Sequence, residues 1–315
     1  MIAFYPLVVL LSAPSIFAAY RLVDNYTPQN FLNNFVFDNS DDPTNGYVNY
    51  LTREQAKNRN LTKIVNNRLY IGTDYTHVVG AKARGRDSVR IYSKKAFTHG
   101  LFILDLQHMP GSQCGSWPAF WFYDVNDWPT SGEIDVIEGV NTQNYNAMAM
   151  HTVDNCSIDE QGNFSGNVDS ANCFVNATGQ PKDSGCSIST DNTQTYGTGF
   201  NKVQGGVYVV QWTSSIIKIW FFPRSKIPTD IKNGKPRPAS WTEPLAAFSG
   251  ACDLDSHVFN QRMTFDLTFC GDWAGDDWKN SCKNKAKTCK EYVKNNPQAF
   301  KDAYWLINSL KVYQS

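Results

Sequence analysis

The sequence predicts an all-β fold, one large antiparallel sandwich or jelly roll. Three observations carry that expectation: β-rich runs recur between Gly-, Asn-, Asp- and Ser-rich turns, helix signals are few, and the 315 residues contain no internal repeat or Pro-rich linker. LFILDLQH from Leu101, AFWFYDV from Ala119, AMAMHTV from Ala147, MTFDLTF from Met263 and INSLKVY from Ile307 each have strand length and composition. GVYVVQW and IIKIWFF flank the polar triplet TSS, which predicts a hairpin turning at Thr213 to Ser215. Two helix signals stand out. Thr52 with Gln55 forms a capping-box pattern, and Asn296 before Pro297 starts a short helix near QAFKDAYW. The segment from about Asn155 to Asn201 is polar and holds three cysteines, so it reads as an insertion of long, disulfide-stapled loops.

At 42% hydrophobic and 18% charged, the chain can bury one large core or two modest ones. Twenty-nine basic residues balance twenty-nine acidic ones without a long run of either sign, which leaves a nucleic-acid or anionic-membrane partner without electrostatic support. A neutral partner is expected. The first nineteen residues, MIAFYPLVVLLSAPSIFAA, have an apolar middle and small residues at Ala18 and Ala19. They predict a secretory signal over 1–19, followed by a single domain over 20–315 with no later bilayer-spanning stretch. In an extracellular setting the eight cysteines pair as disulfides, in an order that the spacing does not reveal, and they offer no CxxC metal-site pattern. No metal or cofactor is expected. Sequons at Asn25, Asn60, Asn155, Asn163 and Asn176 fit the same compartment.

The six residues EIDVIE, Glu133 to Glu138, combine three acids with three β-branched residues. Strict alternation along a strand would face Glu133 and Asp135 one way and Glu138 the other. A β-bulge between Asp135 and Glu138 would return Glu138 to the face of the other two. The glutamate Cα atoms would then lie about 13 Å apart at roughly 3.3 Å per residue. Side chains leaning together would bring the carboxyls to about the 5–5.5 Å of a retaining glycosidase pair. Asp135, between them, could hydrogen-bond one glutamate and separate the two pKa values, with Glu133 the lower.

The same residues admit plainer readings. Three carboxylates can hold a hard cation, and Glu138 could be a solvated strand end. Trp117, Trp121 and Trp128 could all pack in a core; the turn-rich setting favours sugar stacking for Trp121 and Trp128, and core packing is expected for Trp117. His151 could be a satisfied core histidine and Arg90 a structural ion-pair partner.

G-E-I-D-V-I-E-G resembles the E-x-D-x-x-E signature of glycoside hydrolase family 16, and its surroundings resemble the fungal-type laminarinases, which cleave β-1,3 and mixed β-1,3/1,4 glucans. RDSVRIYS around Arg90, QHMPGSQCGSWPAFW up to Trp121, DWPTSGE at Trp128, AMAMHT at His151, KIWFFPR at Trp220 and LTFCGDWAG around Trp273 extend the match over the mature chain. Phe122, Tyr123 and Asp124 are less polar than the pattern after that tryptophan. The resemblance implies a concanavalin-like β-jelly-roll with an open cleft, Glu133 as nucleophile, Glu138 as acid/base and Asp135 as their partner. Trp121, Trp128, His151, Arg90 and Trp273 are its implied substrate-binding residues. The implied protein is a secreted, monomeric endo-β-glucanase that takes a β-glucan. A cell-wall transglycosylase on the same fold and a non-catalytic, lectin-like glucan binder are the alternatives, and the intact glutamates argue against the second.

Overall fold

The computed structural model describes residues 19–315, so all of the proposed signal segment except Ala19 lies outside it. Two eight-stranded, mainly antiparallel sheets pack face to face, as expected from the recurring short strands. The front sheet runs, in spatial order, Asn167–Ser170, Cys186–Ser189, Ala147–His151, Glu133–Glu138, Ser116–Tyr123, Arg262–Phe269, Ile91–Ser93 and Phe35–Phe37. The back sheet is centred on Gly100–His108 and Tyr304–Gln314, with Gly206–Trp212 and Ile217–Pro223 beside them as the predicted hairpin. Phe102, Leu104 and Val210 from the back sheet meet Phe120, Phe122, Ile134, Met150 and Phe265 from the front sheet in one core. Burying side chains of this size contributes about 1.5–3 kcal/mol each, so sheet packing dominates the stability of the fold.

All five strands expected from composition are present, several of them longer than the runs that signalled them. The capping box at Thr52 is formed as the pattern requires: Gln55 N–H donates to the Thr52 hydroxyl, and the Gln55 side chain accepts from Thr52 N–H. Two expectations need correction. Beyond Asn296 only the 3-10 turn Pro297–Phe300 forms, and Tyr304 already begins a strand, because Trp305 and Ile307 alternate into the core. The 155–201 segment is more than loops, since it adds the strands Asn167–Ser170 and Cys186–Ser189 to one end of the front sheet. These strands are short and the outermost is polar, which hid them from composition.

The disulfides pair Cys114 with Cys282, Cys156 with Cys252, Cys173 with Cys186 and Cys270 with Cys289. Cys114 lies just before the strand Ser116–Tyr123 and Cys270 just after Arg262–Phe269, so two of the four tie the ends of neighbouring front-sheet strands to the Cys282–Cys289 region. All five sequon asparagines are exposed. Among the described residues no helix is long and apolar enough to cross a membrane.

Candidate active site

The acid strand Glu133–Glu138 lies fourth in the front sheet, between the strands Ser116–Tyr123 and Ala147–His151. Gly132 leads into it at φ +73°, and a Cβ there would lie 2.3 Å from the His257 carbonyl oxygen, so only glycine fits the approach. Ile134, Val136 and Ile137 are fully buried in the core. Two successive core residues, Val136 and Ile137, break the alternation, and the register shifts between Asp135 and Glu138 on one side and between Asp135 and Ile137 on the other. That shift is the anticipated bulge. It turns Glu138 back to the face of Glu133 and Asp135, and burial of the apolar three prevents a one-residue slip that would invert every side chain.

The neighbouring strands complete the face. His151 stands opposite Glu133 in the register, and its Nε2 lies 3.0 Å from Asp135 Oδ2 and 3.9 Å from Glu133 Oε1. The 3.0 Å approach is an ion-pair distance without hydrogen-bond alignment, and both Asp135 Oδ2 and His151 Nδ1 are buried without a hydrogen-bond partner. Donor atoms of Glu133, Asp135 and His151 lie within 4.8 Å of one another, close enough for a single cation as well as for proton sharing.

Burial is the largest influence on all three acids. It pushes Glu133 well above the ordinary carboxyl range, Asp135 to about 7 and Glu138 to about 8. The charge of Asp135 adds to the rise at both glutamates, while His151 and the Trp128 indole oppose it at Glu133 and the Trp117 indole opposes it at Glu138. The expectation that Glu133 is the lower of the two rests on the charge and hydrogen bonding of Asp135 and leaves out burial. Desolvation acts on both glutamates and sets the direction for both.

A carboxyl with a raised folded pKa binds its proton more tightly folded than unfolded. For Glu138 that contribution is complete below the ordinary value of 4.5 and is lost as pH rises through about 8. Glu138→Gln, which keeps an oxygen for the Trp117 indole, should therefore raise the Tm at pH 8 by about 2–4 °C per kcal/mol recovered and leave it nearly unchanged at pH 4. Thermal unfolding at the two pH values checks this. An equal shift at both would show that charge is not the cause.

The aromatic residues divide in an unexpected way. Trp117 is not a core residue: its Nε1–H donates to Glu138 Oε1 at 2.7 Å, and Trp273 meets its ring edge-to-face at 5.6 Å. The missed signal was the period of two, because Trp117, Ala119, Trp121 and Tyr123 share one face while Phe120 and Phe122 fill the core. Trp121 stacks on Tyr123 at 4.2 Å and donates to Asp266 Oδ1 at 3.2 Å. Trp128, on the loop before the acid strand, is 43% exposed.

Arg90 is 5% exposed and lies beneath this aromatic pair, with its Cζ 5.3 Å from the Trp121 ring. It donates to the Tyr123 hydroxyl at 3.0 Å and pairs with Asp38 at 3.5 Å. Asp266 belongs to the site as well, without a local sequence signal. Burial raises its pKa to about 7, and Tyr50 and Trp121 donate to it while the Arg90 charge draws it down. Trp273 sits on the π-helical turn Gly271–Gly275, which Asn141 holds by donating to the Ala274 carbonyl and accepting from Gly115 N–H. A surface hollow lined by Asn33, Phe37, Arg53 and Lys94 lies four strands away at the sheet edge and holds no carboxylate.

Three acids clustered on one face of a sandwich, with tryptophans on that face and on the loops beside it, are the marks of a carbohydrate-active class of protein, and residues 35–313 match the family described as XgeA-like, catalytic GH16 domain. The chain belongs to glycoside hydrolase family 16. It is 47% identical over 301 residues to an endo-1,3(4)-beta-glucanase of Arthroderma benhamiae, covering 94% of this chain and 65% of that one. The chain thus spans under two thirds of that relative's length. Laminarinase 16A of Phanerochaete chrysosporium, solved with 6-O-glucosyl-laminaritriose in both donor and acceptor sites, superposes with a TM-score of 0.89 at 40% identity, over 94% of this chain and 100% of that one. An elongating family 16 β-1,3-glucosyltransferase matches at 41% identity with a TM-score of 0.89 and the same coverage.

Proposed function

We propose that the chain is a secreted endo-β-glucanase that hydrolyses β-1,3 and mixed β-1,3/1,4 glucans by a retaining double displacement. The observation that carries this reading is the bulge, which puts Glu133 and Glu138 on one face with Asp135 and His151 between strands and tryptophans at both ends. Glu133 attacks the anomeric carbon as the bond to the leaving oxygen breaks, and Glu138 gives that oxygen its proton. Water then surrenders a proton to Glu138 and displaces Glu133, so the anomeric configuration is kept. Glu133 attacks in its ionised form, which burial and the charge of Asp135 oppose and which His151 and the Trp128 indole favour. Trp121, Trp128 and Trp273 offer ring faces to the sugars, while Arg90 supports Trp121 from below.

The names of the A. benhamiae and P. chrysosporium relatives support the substrate class, and the four disulfides and exposed sequons support an extracellular site after removal of residues 1–19. Residues 20–315 then act as one monomeric catalytic domain without metal. The glucosyltransferase relative favours a second reading, in which a sugar hydroxyl replaces water in the second step.

Incubation with laminarin, lichenan and cellulose, followed by proton NMR of the first-formed products, tests the proposal. Laminarin and lichenan should yield the β anomer first, at a rate that a chelator does not change. Initial release of the α anomer, or loss of activity in chelator without loss of fold, would sink it, and longer oligosaccharides in place of reducing sugar would favour transfer over hydrolysis.

A further inference from the structure

We propose that Asn146 is a positioning residue, whose side-chain amide holds the bulge in the geometry that aims Glu138. The inference rests on the reaction proposed above. On the side of the strand Ala147–His151 the register passes from the pair Asp135–Ala149 to the pair Glu138–Ala147 and skips Val136 and Ile137, and the Val136 carbonyl and the Glu138 N–H flank that gap. Asn146 takes both. Its Nδ2 donates to the Val136 carbonyl at 2.7 Å, and Glu138 N–H donates to its Oδ1 at 3.0 Å. A neutral amide offers a donor and an acceptor side by side in one plane, which suits this pair of backbone groups. Asn146 is fully buried, so its loss would leave a carbonyl and an N–H unpaired in the interior.

The clamp is itself anchored. Asn146 N–H donates to Thr195 Oγ1 at 3.2 Å, and the Thr195 carbonyl accepts from the Tyr208 hydroxyl at 2.5 Å. Tyr208 belongs to the back-sheet strand Gly206–Trp212, so the bulge is referenced to the opposite sheet through Asn146. Asn146 bonds the backbone of Glu138 itself. Release of the clamp lets the bulge relax and swings the acid off the leaving oxygen, and it leaves Glu133, five residues earlier, in its place.

The test is the dependence of the loss on the leaving group. Glu138 must donate a proton when the leaving group is a glucan hydroxyl and need not when it is an acidic phenol. In Asn146→Ala, kcat on laminarin should fall on the order of 100-fold, as expected for a catalytic group displaced by about 1 Å, with KM little changed. Burst release of dinitrophenol from a dinitrophenyl β-laminarioligosaccharide should stay close to the wild-type rate. Asn146→Asp, nearly the same size, keeps an acceptor for the Glu138 amide but sets a second oxygen against the Val136 carbonyl, and should show the same contrast. Equal losses on both substrates, unchanged laminarin turnover, or failure to isolate either variant folded would overturn the proposal, because the amide would then serve the fold alone. A wild-type chain that cleaves neither substrate refutes the glucanase reading, and this proposal with it.

Discussion

Glu133→Ala is expected to lower turnover on laminarin by a factor on the order of 10⁶, comparable to removing a catalytic nucleophile elsewhere. Without the carboxylate at this position the attacking group of the first step is gone and no glycosyl-enzyme forms on Glu133. The position is fixed from both sides, opposite Tyr123 on one strand and His151 on the other, so the substitution removes the attacking atom without shifting the strand. Azide entering the vacated space should attack an activated β-glucosyl donor directly and give the α-glycosyl azide. The product anomer, read by NMR, checks the assignment. A β azide from this variant means that the two glutamates have the opposite roles, and normal activity on laminarin means that EIDVIE is not the active site.

Glu138→Ala should lower turnover on laminarin by about 10²–10⁴, the usual contribution of a general acid and base. The cost should nearly vanish in the first step on an aryl glucoside with a good leaving group, since that oxygen departs without a proton. The glycosyl-enzyme then accumulates, and azide should restore turnover and yield the β-glycosyl azide by attacking the intermediate from the face opposite Glu133. Burial pushes Glu138 to about 8, which keeps its proton available at the mildly acidic pH where such a donor is needed. Equal losses on laminarin and on the aryl glucoside would remove the acid role.

Much of this site could be read from one hexapeptide. Three acids among three β-branched residues conflict with strand alternation, and a single extra residue resolves the conflict. The register places it between Asp135 and Glu138, where it was expected. Other parts of the site are hidden from the local sequence for identifiable reasons. Residue-type preference points Trp117 to the core, whereas counting by twos from Trp121 puts it on the face of Glu138. Asp266 lies in a strand read correctly as MTFDLTF, but its importance comes from Trp121, Tyr50 and Arg90, which are remote in sequence.

What the sequence determined by itself is what depends on local periodicity and residue chemistry: the all-β class, the hairpin at Thr213 to Ser215, the capping box at Thr52 and the common face of Glu133, Asp135 and Glu138. These follow from neighbours a few residues apart, whose spacing decides which way a side chain points. The tertiary structure alone decided the disulfide pairs, the partners of Arg90, the amide clamp of Asn146 on the bulge and the raised pKa of Glu133. Cys114 and Cys282 are 168 positions apart and Trp121 and Asp266 are 145, so no local pattern encodes their meeting. Desolvation is likewise collective: Glu133 is raised by the whole sheet that surrounds it, and a hexapeptide carries no record of how deeply it will be buried.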